Sequence, residues 1–239
     1  MTKDTTTYIA IVLAGGRGTR MGAEKPKQYL ELAGKPVIAY SLIAFEESMA
    51  DEIYVVCDGS YEDMIKDMAK KYGISKLTGF ADSGPERVIS VRNGVNAALA
   101  CRNPADYNDI CLMIHDGARP FISTELIKAC AERAAECGAA IPGLPLKDTI
   151  KEVSGDTVVE TPDRSLFTAV QTPQCFMADI LVLAYEAYES GKKPDFIPTD
   201  DASLVEMFTG VDVKVVPGDE RNIKLTTPAD MRVARMLVN

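Results

Sequence analysis

The sequence predicts an α/β protein: a mainly parallel, twisted sheet flanked by helices, in a single domain covering residues 1–239. Two patterns carry that expectation. Ile9–Leu13, Ile53–Cys57 and Ile110–Ile114 are short apolar runs with the length and β-branched density of strands buried on both faces. Helical spacings alternate with them, in Ile65, Met68 and Tyr72 and in Val88, Val91, Val95 and Leu99. Such β-α-β alternation implies parallel strands joined by right-handed crossovers. Ligands of these folds gather beyond the carboxyl ends of the strands, where the loops after Leu13 and after Ile114 both fall.

The first of those loops is the most informative stretch. Gly15, Gly16 and Gly18 let the backbone curl so that successive N–H groups face one concavity. Arg17, Arg20, Lys25 and Lys27 surround it in a chain whose net charge is −9, which points to a polyphosphate site. A dinucleotide fingerprint starting at Gly16 needs its third glycine at Met21, and Gly22 misses by one; a Walker A loop is absent. Further along, the polar stretch 147–167 turns at Ser154-Gly155-Asp156 and reads as a β-hairpin arm that needs something to pack on, a second subunit being the natural candidate. Helices are expected after Met177 and after Thr199. A last one starts at Thr227-Pro228-Ala229-Asp230, with Thr as N-cap and Pro at the first helical position. Lys224, between apolar Ile223 and Leu225, is expected on a strand with one buried face.

Composition narrows the function classes. Apolar residues make up 46% and charged residues 26%, an ordinary globular balance. The acidic net charge argues against a nucleic-acid surface. No eighteen-residue apolar run or basic-then-apolar leader occurs, so neither a membrane span nor secretion is expected. Six cysteines without a C-x-x-C pair suggest reduced core thiols in a cytoplasmic protein. His115 is the single histidine, which removes Ser-His-Asp and His-rich zinc chemistry.

Ordered motifs then bring a known family into view. Leu13-Ala-Gly-Gly-x-Gly-Thr-Arg-Met, Pro26-Lys-Gln-Tyr-Leu, Gly84-x-Glu-Arg-x-x-Ser90-Val, His115-Asp-Gly-Ala-Arg-Pro120, Lys147-Asp-Thr-Ile-Lys151, Gln171-Thr-Pro-Gln174, Thr199-Asp-Asp-Ala-Ser-Leu-Val-Glu206 and Asn222-Ile-Lys-Leu-Thr-Thr-Pro228 span nearly the whole chain. Together they resemble the 2-C-methyl-D-erythritol 4-phosphate cytidylyltransferase family, with the ribitol-5-phosphate cytidylyltransferases as near relatives.

The resemblance implies a Rossmann-like nucleotidyltransferase fold and transfer of a cytidylyl group from CTP to a polyol phosphate, with release of pyrophosphate. It implies that Arg20 and Lys27 are transition-state cations and that Arg164 and Lys224 position the attacking phosphate. Nucleotide contacts are implied at Ala14, Gly15, Gly16, Gly18, Gly84, Ser90 and Gly117, and polyol contacts at Asp116, Arg119 and Thr149. An internal Asp116–Arg119 pair that merely stabilises its turn is the alternative there. Thr149 and Arg164, on the arm, are implied to reach a neighbouring subunit's site, giving a homodimer. His115 is not expected as a general base, because the attacking phosphate is already ionised. Asp58, Asp200 and Asp201 form no metal-ligand pattern, so Mg²⁺ is expected mainly on the CTP phosphates with no protein cage. Competing readings are ribitol 5-phosphate as acceptor, a CTP sensor without turnover, and a nicotinamide-dependent oxidoreductase.

Overall fold

The computed structural model describes residues 6–16 and 26–238. Strand β1 (Thr7–Leu13) lies inside an eight-stranded sheet. Ile9 and Ile11 pack on one side and Ala10 and Val12 on the other, all fully buried, because apolar residues occupy consecutive positions. A short hairpin, β2 (Glu31–Leu32) and β3 (Lys35–Pro36), leads into α1 (Val37–Glu47). Then follow β4 (Glu52–Cys57), α2 (Glu62–Tyr72), β5 (Leu77–Asp82), α3 (Arg87–Leu99), β6 (Ile110–Asp116), α4 (Thr124–Cys137) and β7 (Ala139–Pro145). The arm comprises β8 (Glu152–Ser154) and β9 (Thr157–Glu160). Next are β10 (Thr168–Val170), β11 (Gln174–Met177), α5 (Ala178–Glu189), α6 (Asp201–Phe208), β12 (Lys214–Pro217) and α7 (Pro228–Val238).

Strands β5, β4, β1 and β6 are parallel neighbours in that order. β11 then enters antiparallel between β6 and β7, and β10 continues along the same edge of β7. β12 runs parallel to β7 on the opposite edge, since β11 and β12 both pair with Ala140. One face of the sheet is covered by α1, α2 and α4, the other by α3, α5 and α6. Helix α3 sits close because Gly94 faces the sheet: a Cβ there would lie 2.6 Å from Ile11 Cγ2 and 2.7 Å from Val56 Cγ2. That approach brings the N-terminus of α3 to the ends of the strands.

The C-terminal helix starts as its sequence indicates. Thr227 Oγ1 accepts from the Asp230 N–H at 3.3 Å, while Asp230 Oδ2 accepts from the Thr227 N–H at 2.7 Å. Lys224 departs from expectation: its segment joins no sheet ladder and is irregular chain between β12 and α7. Between the turn at Asp219–Asn222 and the cap at Thr227 the chain is held by the Leu225 N–H to the Ala118 carbonyl at 2.9 Å and by side-chain bonds at Asn222, not by a neighbouring strand. Leu225 is still fully buried, so the outward aim of its neighbour survives without a strand. All six cysteines carry free thiols, and four of them (Cys57, Cys111, Cys130 and Cys175) are buried.

Candidate active site

A cleft of about 1090 Å³ opens at the carboxyl ends of β1, β4 and β6. One wall is the backbone of Ala14–Gly16, the facing wall the loop Ser83–Arg87. They come together because Gly15 has no side chain: a Cβ would sit 2.1 Å from Ser83 Cβ. Gln28, 2% exposed, donates from Nε2 to the Ala14 carbonyl at 2.5 Å and the Gly16 carbonyl at 2.9 Å. It thereby ties the segment carrying Lys27 to the loop that follows β1. Tyr29 adds a hydroxyl bond to Ala14 O at 3.2 Å and stacks on Tyr61 at 4.1 Å.

Across the cleft, Asp116 ends β6 amid three cations. Lys224 Nζ lies 2.7 Å from Oδ2, Arg87 Nε 3.6 Å from Oδ1 and Arg119 Nε 3.9 Å from Oδ2. Burial alone would raise this carboxyl's pKa; Arg87, Lys224 and Arg119 outweigh it and hold the group well below the usual carboxylate range. The Asp116 N–H donates to Thr172 Oγ1 at 3.1 Å. The hydroxyl proton of Thr172 is then directed to His115 Nδ1, 3.0 Å away, so Nε2 carries the ring proton toward the Arg119 carbonyl at 3.3 Å. Burial pushes the His115 pKa down to about 4, against the pull of Asp116, and the ring is neutral at neutral pH.

Ala14, Gly15, Gly16, Lys27, Gly84, Ser90, Asp116 and Lys224 thus share one cleft. Ser90 shapes its own wall: Oγ accepts from the Gly84 N–H at 3.0 Å and bonds the Glu86 carbonyl at 3.0 Å. Gly117 and Arg119 lie behind the lining. The Gly117 N–H donates to Leu13 O at 2.9 Å, and Arg119 Nη1 donates to Asn222 O at 2.7 Å. Thr149 and Arg164 are on the arm and outside this chain's own cleft, with the Arg164 guanidinium donating to the Lys147 carbonyl. Gly18 and Arg20 fall outside the described residues.

Sequence reasoning missed three contributors. Gln28 and Arg87 sit inside quoted motifs, which was the available signal, yet nothing local distinguishes a buried polar anchor from a surface one. The third, Thr172, follows Gln171 in a motif whose pairing partners lie more than fifty residues away. Cys57, at the end of β4, is pushed up to about 12 by burial, which speaks against a thiolate nucleophile. Among the described residues no group of three His, Cys, Asp or Glu side chains converges to hold a metal. Nor, among those residues, is any helix long and apolar enough to cross a membrane. The arrangement is chemically suited to an anion, through backbone N–H groups and cations, with the ionised Asp116 carboxylate beside them.

Comparison with known proteins agrees with that chemistry. Residues 8–239 match the family model described as IspD, 2-C-methyl-D-erythritol 4-phosphate cytidylyltransferase. The chain is 42% identical over 232 residues to the 2-C-methyl-D-erythritol 4-phosphate cytidylyltransferase of Geobacillus thermodenitrificans, covering 97% of this chain and 96% of that one. It is 43% identical over 227 residues to the protein of the same name from Geotalea uraniireducens, covering 94% of each. Among solved structures, the 4-diphosphocytidyl-2C-methyl-D-erythritol synthase of Anaerococcus prevotii superposes with a TM-score of 0.81 at 31% identity, over 98% of this chain and 96% of that one.

Proposed function

The chain belongs to the 2-C-methyl-D-erythritol 4-phosphate cytidylyltransferase family, and on that premise we propose how its residues divide the reaction. The enzyme transfers the cytidylyl group of CTP to 2-C-methyl-D-erythritol 4-phosphate, giving 4-diphosphocytidyl-2-C-methyl-D-erythritol and pyrophosphate. The names of the relatives favour this acceptor over ribitol 5-phosphate. A phosphate oxygen of the polyol attacks the α-phosphorus in line, and the bond to the bridging oxygen of the β-phosphate breaks. Both reactants are anions, so charge neutralisation and alignment are the chain's task.

Backbone N–H groups of Gly15, Gly16 and Gly18 hold the nucleotide phosphates, Ala14, whose own N–H donates to the Val56 carbonyl at 2.7 Å, lines the nucleotide pocket beside them, and the loop at Gly84 and Ser90 reads the base. Pro85 withholds one backbone donor from that loop. Arg20 and Lys27 neutralise the charge that builds at the α-phosphorus. Asp116 takes polyol hydroxyls while Lys224 steers the attacking phosphate. Arg119 serves both by bonding the Asn222 carbonyl beside the Lys224 segment.

Arg164 and Thr149 come from a second copy, making a homodimer with shared sites. The exposed apolar side chains of the arm support this: Val153, Val158 and Val159 lie open on a hairpin too small to be stable alone, and Phe167 is open at the arm's C-terminal end. Mg²⁺ would be held mainly by the CTP phosphates, with no dedicated protein cage. The described carboxylates of the lining stand singly, with Asp116 held by Lys224 and Asp58 bonding Ser60, which suits an ion held mainly by phosphate oxygens and water. When bound it offsets triphosphate charge.

The observation that carries this reading is the meeting, in one cleft, of the Ala14–Gly16 loop and Lys27 with Asp116 and Lys224. Pyrophosphate release with CTP and Mg²⁺, comparing methylerythritol 4-phosphate with ribitol 5-phosphate, tests it. A strong preference for the first is expected; release with neither, despite CTP binding, overturns it.

A further inference from the structure

Asp201 opens α6 and is 1% exposed, yet it is not that helix's cap. Asp200 does that work, accepting from the Ser203 N–H at 2.9 Å while Ser203 Oγ closes the box. A second, fully buried carboxylate at this place costs desolvation that an apolar residue would avoid. Its two oxygens are differently engaged. Oδ1 accepts from the buried Tyr185 hydroxyl at 3.0 Å, and Oδ2 lies 2.8 Å from Arg87 Nη1. The backbone around it is rigid, because the N–H groups of Asp201 and Ala202 both donate to Gln174 Oε1, at 3.1 and 3.2 Å.

Arg87 is therefore ion-paired at its outer end and reaches toward Asp116, where its nearest approach is Nε to Oδ1 at 3.6 Å. A guanidinium free of other partners closes onto a carboxylate with two parallel bonds. Closure here would occupy Asp116 Oδ1, while Lys224 already takes Oδ2 at 2.7 Å. We propose that Asp201 is a positioning residue: by holding Nη1 of Arg87 it keeps that guanidinium from closing on Asp116, so that Oδ1 stays open to the hydroxyls of the polyol phosphate. Tyr185 sets the angle of the grip. This rests on the reading of Asp116 as the polyol acceptor.

Its test is a double-mutant cycle read as separate KM values for CTP and methylerythritol 4-phosphate. Asp201→Asn keeps the shape and the Tyr185 bond but weakens the hold on Arg87. It should raise KM for the polyol phosphate about tenfold and leave KM for CTP within twofold. In an Arg87→Gln background the same change should add less than twofold, because nothing remains to be held. Tyr185→Phe removes one hydroxyl and should raise the polyol KM two- to threefold, again only while Arg87 is present; it serves if Asp201→Asn does not fold.

Additive losses, equal rises in both KM values, or no change in either would overturn the proposal while leaving the function standing. A wild-type enzyme that turns over CTP but ignores methylerythritol 4-phosphate would overturn the acceptor reading and this inference together.

Discussion

Replacing Gln28 by Leu tests whether one buried amide sets the geometry of the nucleotide loop. The change keeps volume and removes the donor to both the Ala14 and the Gly16 carbonyl. Ala14 O retains the Tyr29 hydroxyl, so the loss is smaller than two full bonds. At about 1 kcal/mol for each net hydrogen bond, the cost is on the order of 1–2 kcal/mol. If the loop recovers its shape when CTP binds, that cost appears in nucleotide affinity as a ~5- to 30-fold rise in KM for CTP, since about 1.4 kcal/mol is tenfold. The fold itself should lose little, about 2–4 °C in Tm per kcal/mol for a chain of this size. Pyrophosphate release at saturating methylerythritol 4-phosphate and varied CTP measures the first, and a thermal melt with and without CTP the second. A CTP KM within twofold of wild type, with an unchanged melt, would show that Gln28 does not organise the loop.

Three further outcomes are expected. Lys27→Ala should lower kcat much more than it weakens CTP binding, because its charge matters most as the α-phosphorus becomes pentavalent; equal losses in single-turnover rate and in CTP affinity would make it only a binding residue. Mixed dimers of Arg164→Ala and Lys27→Ala subunits should regain activity at one site in two, since one composite site then holds an intact body and an intact arm; an inactive but verified heterodimer would place each site within one chain. His115 is held neutral with a pKa near 4, below the ordinary value near 6.5, so the unfolded chain binds its proton first as pH falls. Its contribution is full above about pH 6.5 and is lost toward pH 4, roughly 3 kcal/mol in all. His115→Gln should flatten that part of the stability curve measured by denaturant titration, and parallel curves would refute it.

Much of the architecture was legible because it depends on local patterns. Consecutive apolar positions in Ile9–Leu13 specify a strand buried on both sides, and the spacing of Val91, Val95 and Leu99 specifies a helix face. The Thr227–Asp230 cap and the arm at 147–167 follow from turn and capping chemistry that acts over a few residues. The glycine content of the loop after Leu13 marked the end of the sheet at which the cleft opens.

Other features lay beyond any such pattern. The antiparallel insertion of β11 between β6 and β7 depends on which edges remain unpaired once the sheet is assembled. Lys224 meets Asp116, Arg87 meets Asp201, and Arg119 turns to Asn222 instead of the cleft, each across a separation the helix and strand periods do not encode. A buried Gln, Asp or Arg has the same letter as an exposed one. Its cost of burial is offset only by partners that folding brings from elsewhere in the chain. The sequence therefore determined the elements and the chemical family, and the packing of distant elements decided which polar groups face substrate and which hold the others in place.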